Sequence, residues 1–192
     1  TSVTRDDLGD GGAGLFAQTI REIRGRAPET LVELLIPDFL GDADALHTVL
    51  EAHPDVLNHN LETVPRLYPS VRPGAVYRRS LELLERVNRF EHTISTKSGL
   101  MLGLGESPEE IDQTLRDLRR MGCDILTLGQ YLQPSGKHLP VHRFVLPGEF
   151  EEWRKIGLEL GFAEVASGPL VRSSYRAEAF YLAASTSSRA TP

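Results

Sequence analysis

The feature that most constrains this chain is a pairing repeated along it, in which an apolar, strand-like run passes directly into a polar segment containing glycine or proline. It occurs as TSV before TRDDLGDGG, LLI before PDFLGD, VL before NHNLET, GLMLGLG before ESPEE, and ILTLGQY before LQPSGKH. Between these runs the apolar spacing switches to the helical period. Strand-like runs alternating with amphipathic helices predict an α/β fold with a mostly parallel sheet, each strand and helix forming one βα unit. In a parallel barrel the C-terminal strand ends open on one mouth. Polar loops follow strands in many proteins, but five rich in carboxylate, carboxamide and lysine groups predict a shared pocket.

The strand-like runs are residues 30–36, 55–58, 95–102 and 124–128, and the helical ones are about 14–24, 43–52, 77–90, 108–121 and 148–160. Ser107-Pro108-Glu109-Glu110 reads as an N-cap serine, a first-turn proline and acids facing the helix N-terminus, and Gly122 suits the left-handed residue that ends a helix. Asp42 and Gly161 read as similar punctuation. Residues 1–146 form the barrel-like unit, 147–184 a C-terminal helix and extension, and 185–192 (STSSRATP) a frayed tail.

A formal net charge of −6 argues against general nucleic-acid binding, which needs a basic face. No run reaches the roughly 18 apolar residues of a membrane span, and no basic-then-apolar leader precedes the first helix, so the expected location is the cytoplasm. The single cysteine, Cys123, excludes an internal disulfide and a thiolate-only metal site, and its setting predicts a packed thiol. The chain opens TSVTRDDL without methionine, its first three residues reading as the end of a strand, and is expected to be a fragment or a processed chain.

Five stretches are candidates for chemistry. In LNHNLETVPR, the side chains of Asn58, His59, Asn60 and Glu62 either brace the mouth by bonding one another or hold a polar ligand. Asn60 and Glu62 fall on one side if the extended backbone continues, a carboxylate for ribose hydroxyls beside an amide for an amino-acid end. Lys97, in STKSGLMLGLGE, is open to three readings: a solvated edge residue, an anion binder, or a Schiff-base amine. Gly103-Leu104-Gly105 is not a dinucleotide fingerprint and suits close backbone approach. In LGQYLQPSGKHLPVHRF, Pro140 makes a helical His138/His142 metal pair unfavourable, so both read as loop histidines. TRDDLGDGG lacks the EF-hand spacing. GPLVRSSYRA, taken alone, reads as a serine cap on a short helix with Arg172 on an acidic surface.

Taken together, TSVTRDDLGDGG, NHNLETVPRLY, VRPGAVYRRSL, TKSGLMLGLGE, LTLGQYLQPSGKHLPV and GPLVRSSYRA resemble, in order and over residues 1–177, the signature segments of the lipoyl synthase family of radical S-adenosylmethionine enzymes. The resemblance implies the C-terminal portion of a partial (βα)6 TIM-type barrel with a C-terminal extension. It also implies two 4Fe–4S clusters. One, on CxxxCxxC, cleaves S-adenosylmethionine to a 5′-deoxyadenosyl radical. The other, on CxxxxCxxxxxC and a serine, is the sulfur donor for C6 and C8 of a protein-bound octanoyl group. None of those motif cysteines is in this chain, and one thiolate cannot hold such a cluster. The chain alone is therefore expected to be inactive as a sulfurtransferase.

Carried over by resemblance, Ser174 is the auxiliary-cluster ligand, a hard and displaceable oxygen donor, and Arg172 stabilises the anionic cluster or the departing serine. Ser2, Asp6, Asn60, Glu62, Lys97, Gln130 and Leu132 are the expected S-adenosylmethionine contacts. The implied partners are octanoylated lipoyl carrier domains, on acyltransferase subunits of 2-oxoacid dehydrogenases and on the glycine-cleavage H protein, and an electron donor such as flavodoxin or ferredoxin. Two other readings stand beside this one: a cluster-free barrel lyase with Lys97 as Schiff-base nucleophile, and a non-catalytic relative that binds lipoyl carriers.

Overall fold

The structure, a computed structural model, describes residues 1–90 and 93–174. Its elements in chain order are α1 (Ala13–Arg26), β1 (Glu33–Leu35), α2 (Ala43–Leu50), β2 (Val56–Asn58), α3 (Tyr68–Val71), α4 (Tyr77–Phe90), β3 (Ser95–Leu102), α5 (Pro108–Arg120), β4 (Ile125–Gln130), α6 (Pro147–Glu159) and β5 (Glu164–Gly168). The five strands form one sheet in sequence order, every pairing parallel. The α/β expectation holds.

The register divides the strand side chains into two faces. Leu57 of β2, Leu100 and Leu102 of β3, and Leu126 and Leu128 of β4 turn outward into a core shared with Ile20 of α1, Val49 of α2, Leu84 of α4, Leu115 of α5 and Phe150 of α6. Alternation puts the intervening residues on the inner face, among them Glu33, Asn58, Lys97, Gly99, Thr127 and Gly129. Burial of the outer face by helices supplies the main driving force, leaving the inner face free to be polar.

Local chemistry explains the boundaries. Ser107 accepts from the Glu110 amide while the Glu110 carboxylate accepts from the Ser107 amide at 2.8 Å, a complete capping box at the start of α5. Asp42 accepts from the amides of Asp44 and Ala45 at the start of α2. Asp10, from the glycine-rich acidic segment, accepts from the amides of Gly12 and Gly14 and starts α1. Gly122 and Gly161 both take positive φ where expected.

Three expectations need correction. β1 covers only Glu33–Leu35, because the Val32 amide donates to the Asp55 carboxylate instead of to a strand. β5, in FAEVASG, was not among the expected strands: Glu164 and Ser167 interrupt the apolar run, and pairing with β4 supplies what the local pattern lacks. Residues 1–3 do not end a strand; they lie outside the sheet, with Val3 78% exposed. Residues 175–192, including Tyr175 and the expected tail, lie outside the described residues.

Candidate functional site

Extended backbone continues past β2 through His59 and Asn60, and the Glu62 amide donates to the Gly99 carbonyl as an isolated bridge to β3. Glu62 itself takes φ 65°, which turns its side chain toward Asn60. The Asn60 amide donates to the Glu62 carboxylate at 3.1 Å, so the two do face the same way. Burial, foremost, raises the Glu62 pKa, while Asn60 and the charge of Arg72 act to lower it. The Asn60 side-chain oxygen, Oδ1, is buried and has no hydrogen-bond partner among the described residues. An acceptor left in this state is destabilising unless a ligand or water satisfies it.

These two side chains open into a cavity of about 320 Å³ at the C-terminal strand ends, floored by Gly99 and Gly129. A Cβ on Gly99 would collide with the Thr127 hydroxyl, and one on Gly129 with the Val171 carbonyl. The missing side chains therefore let the sheet approach both the cavity and the C-terminal segment closely. That segment returns over the mouth: the Gln130 amide N–H donates to the Pro169 carbonyl, Val171 is buried, and Arg172 and Ser173 line the far wall.

The structure thus brings together Asn60, Glu62, Gln130, Leu132 and Arg172. Gln130 contributes little polar capacity, since its side-chain N–H groups donate to the carbonyls of Tyr131 and Arg143 and its oxygen accepts from the Val145 amide. It pins the loop after β4. Ser174 is exposed in the turn beyond Arg172, and its neighbour Ser173 is the serine that lines the cavity. Ser2 is exposed and donates to the Val3 carbonyl, while Asp6 borders a separate cleft between the N-terminal loop and the β1–α2 loop.

Lys97 is neither solvated nor a cavity wall. Its side chain is 0% exposed, and its Nζ donates to both Glu33 carboxylate oxygens, at 2.8 and 3.1 Å. A side chain buried and bonded to both carboxylate oxygens in this way presents no free amine to a carbonyl in the cavity, which removes the Schiff-base lyase reading. Asn58 sits in register beside it, fully buried, with neither side-chain polar atom partnered among the described residues.

The sequence reading missed Gly99, Gly129, Thr127 and Arg72. Isolated glycines inside TKSGLML and LTLGQY were the available signal for close approach. Cys123 is buried, and burial pushes its thiol pKa up strongly, away from ligand chemistry. His138 and His142 lie in the loop after β4, and no group of three or more His, Cys, Asp or Glu residues able to hold a metal occurs among the described residues. With one cysteine in the chain, these residues do not fit an iron–sulfur cluster by themselves. The Asn60–Glu62 wall, with an unsatisfied acceptor beside a carboxylate, does fit an adenosyl amino acid.

A parallel sheet wrapped by helices on one face, with a cavity of mixed polar and apolar lining at its C-terminal strand ends, is the architecture of part of an α/β barrel. The radical SAM superfamily matches residues 1–118, and the chain belongs to that superfamily. Within it, the chain is 59% identical over 177 residues to a lipoyl synthase of Rubrobacter xylanophilus, covering 92% of this chain and 55% of the relative. It is 58% identical to a lipoyl synthase of Chlorobaculum parvum, covering 94% of this chain and 61% of the relative. The chain therefore spans little more than half the length of these relatives. Among solved structures it is similar to a methylornithine synthase, with TM-score 0.58 and 16% identity over 84% of this chain and 56% of that one. It is also similar to hydroxymethylglutaryl-CoA lyase from Pseudomonas aeruginosa, with TM-score 0.54 and 16% identity over 88% and 53%. Those two likenesses show the fold alone.

Proposed function

We propose that this chain is the part of a lipoyl synthase that walls the S-adenosylmethionine site and closes the mouth of the barrel. In this reading the whole protein inserts two sulfur atoms at C6 and C8 of a protein-bound octanoyl group. The observation that carries it is the Asn60–Glu62 pair, which faces a cavity at the strand ends with one buried acceptor unsatisfied. Relatives named lipoyl synthase, near 59% identity over almost the whole chain, support the same reading.

Glu62 accepts from the ribose hydroxyls and Asn60 meets a donor of the amino-acid end, its carbonyl then satisfied. Leu132 and Met101 give the adenosyl group apolar contact, and Arg172 closes the far wall. Bound there, S-adenosylmethionine supplies the 5′-deoxyadenosyl radical for hydrogen abstraction. Lys97 acts through Glu33, as the buried counter-charge of the barrel floor. Ser174, reached only one residue past the cavity wall, is assigned as the auxiliary-cluster ligand by resemblance, and Ser2 and Asp6 likewise rest on resemblance. The cluster cysteines are supplied from outside this sequence, which leaves the chain alone inactive. The substrates are octanoylated carrier domains of 2-oxoacid dehydrogenases and the glycine-cleavage system, with flavodoxin or ferredoxin as reductant, in the cytoplasm. No helix among the described residues is long and apolar enough to cross a membrane.

The test joins this chain to the cysteine-bearing portion of a relative, reconstitutes it with iron and sulfide, and supplies S-adenosylmethionine, a one-electron reductant and an octanoyl-lysine peptide. The peptide should gain two sulfur atoms by mass spectrometry, and Ser174→Ala should abolish the gain. S-adenosylmethionine consumption with no sulfur in the peptide would overturn the reading.

A further inference from the structure

The turn that carries Asn60 and Glu62 is held from behind by one side chain that no part of the function above uses. Arg72 follows α3, and its guanidinium donates through one nitrogen to the carbonyls of Asn60 at 3.0 Å and Leu61 at 3.1 Å, and lies 3.2 Å from the Tyr68 hydroxyl. Its guanidinium carbon stands 5.4 Å from the centre of the Tyr68 ring, and Tyr68 is buried against Tyr77 of α4, their centroids 5.4 Å apart. The guanidinium is thus fixed on one side by a packed aromatic pair and on the other by the peptide groups of the turn. The conformation it holds is an unusual one: Glu62 at φ 65° is a left-handed non-glycine residue, which is costly unless its surroundings enforce it.

We propose that Arg72 is the positioning residue of this site, tethering the 60–62 turn so that the Glu62 carboxylate is aimed into the cavity. The inference rests on the functional reading of that cavity. Two roles are combined in one side chain. The paired carbonyl bonds fix where Asn60 and Glu62 point. The positive charge, which acts on Glu62 from the α3 side, opposes the burial that favours its neutral acid. The other groups facing Glu62 are the Asn60 amide on its own turn, Tyr68 from α3, and Arg172 on the C-terminal segment across the cavity. Of the two cations, Arg72 is the one bonded to the turn. Lysine would keep the charge and lose the paired tether, whereas glutamine would keep a donor and lose the charge.

The test separates these roles with the chain as it is. In ligand-free protein labelled with carbon-13 at glutamate carboxyls, the Glu62 titration followed by NMR should shift upward in Arg72→Gln and stay near the parent value in Arg72→Lys. Calorimetric affinity for S-adenosylmethionine should fall about tenfold in both, the loss expected for a hydrogen bond to a charged group. In Arg72→Gln the affinity should also decline with acidification from a higher pH than in the parent. An unchanged Glu62 titration in a folded Arg72→Gln would overturn the proposal, even where the parent chain binds S-adenosylmethionine well. An upward Glu62 shift in Arg72→Gln together with no S-adenosylmethionine binding by the parent would count against the cavity's assigned ligand and leave Arg72 as the positioning group of the turn. If Arg72→Gln does not fold, unchanged affinity in Arg72→Lys overturns the tether.

Discussion

His59 shows what a single buried residue commits this fold to. Its Nδ1–H donates to the Ile36 carbonyl and its Nε2 accepts from the Ser80 hydroxyl, both at 2.9 Å, joining the β1 and β2 ends to α4. Burial is the main cause that brings its pKa down from 6.5 to about 4. The unfolded chain therefore binds the proton more readily, so this contribution is whole above pH 6.5 and lost as pH falls from 6.5 toward 4. Urea unfolding across that window should show a loss on the order of 3 kcal/mol that is absent in His59→Gln. Glu110, held to about 2 chiefly by its bonds to Arg66, acts in a lower window: its contribution is lost between pH 4.5 and 2. Lys97 and Glu33 give a second residue-scale expectation. Glu33→Ala strands a buried ammonium and should cost about 3 kcal/mol or more, whereas Lys97→Met leaves only a carboxylate that is one-fifth exposed and should cost less. Equal costs in denaturant melts would contradict a buried ion pair whose two partners differ in exposure. Lysine 97 was misread because its partner lies 64 residues away, and only strand order brings the two together.

At the scale of elements, what could be read in advance follows the range of the determining interactions. Helix α5 was legible because its cap, first-turn proline and terminal glycine are all local, and Ser107→Ala should lower stability by about 1 kcal/mol in thermal melts. Strand β5 was not legible, since its pairing with β4 and the bond from the Ser167 hydroxyl to the Phe150 carbonyl are tertiary. The segment that follows β5 depends on a glycine in another strand. Gly129→Ala would drive a Cβ into the Val171 carbonyl, so residues 169–173 must lift from the mouth. Limited proteolysis should then cut that segment faster, while the protease resistance of α5 stays as it was.

For the whole molecule, five parallel strands in sequence order turn a set of leucine side chains outward beneath helices and put Glu33, Asn58, Lys97 and Thr127 on the inner face. That division was foreseeable from the repeated run-and-loop pattern; alternation also put Asn60 and Glu62 on one side, but the left-handed backbone at Glu62 that turns its carboxylate toward Asn60 was not legible. The part the sequence could not show is the return of the C-terminal segment across the mouth, which brings Arg172 opposite Glu62. In the function proposed, this inward cavity receives an adenosyl amino acid through the Glu62 carboxylate. Calorimetry of S-adenosylmethionine binding to the chain, parent against Glu62→Gln over a pH series, tests it most directly. The parent affinity should weaken as acidification protonates Glu62, and the variant should bind at least about tenfold more weakly with little pH dependence. Equal affinities for parent and Glu62→Gln at every pH would contradict it.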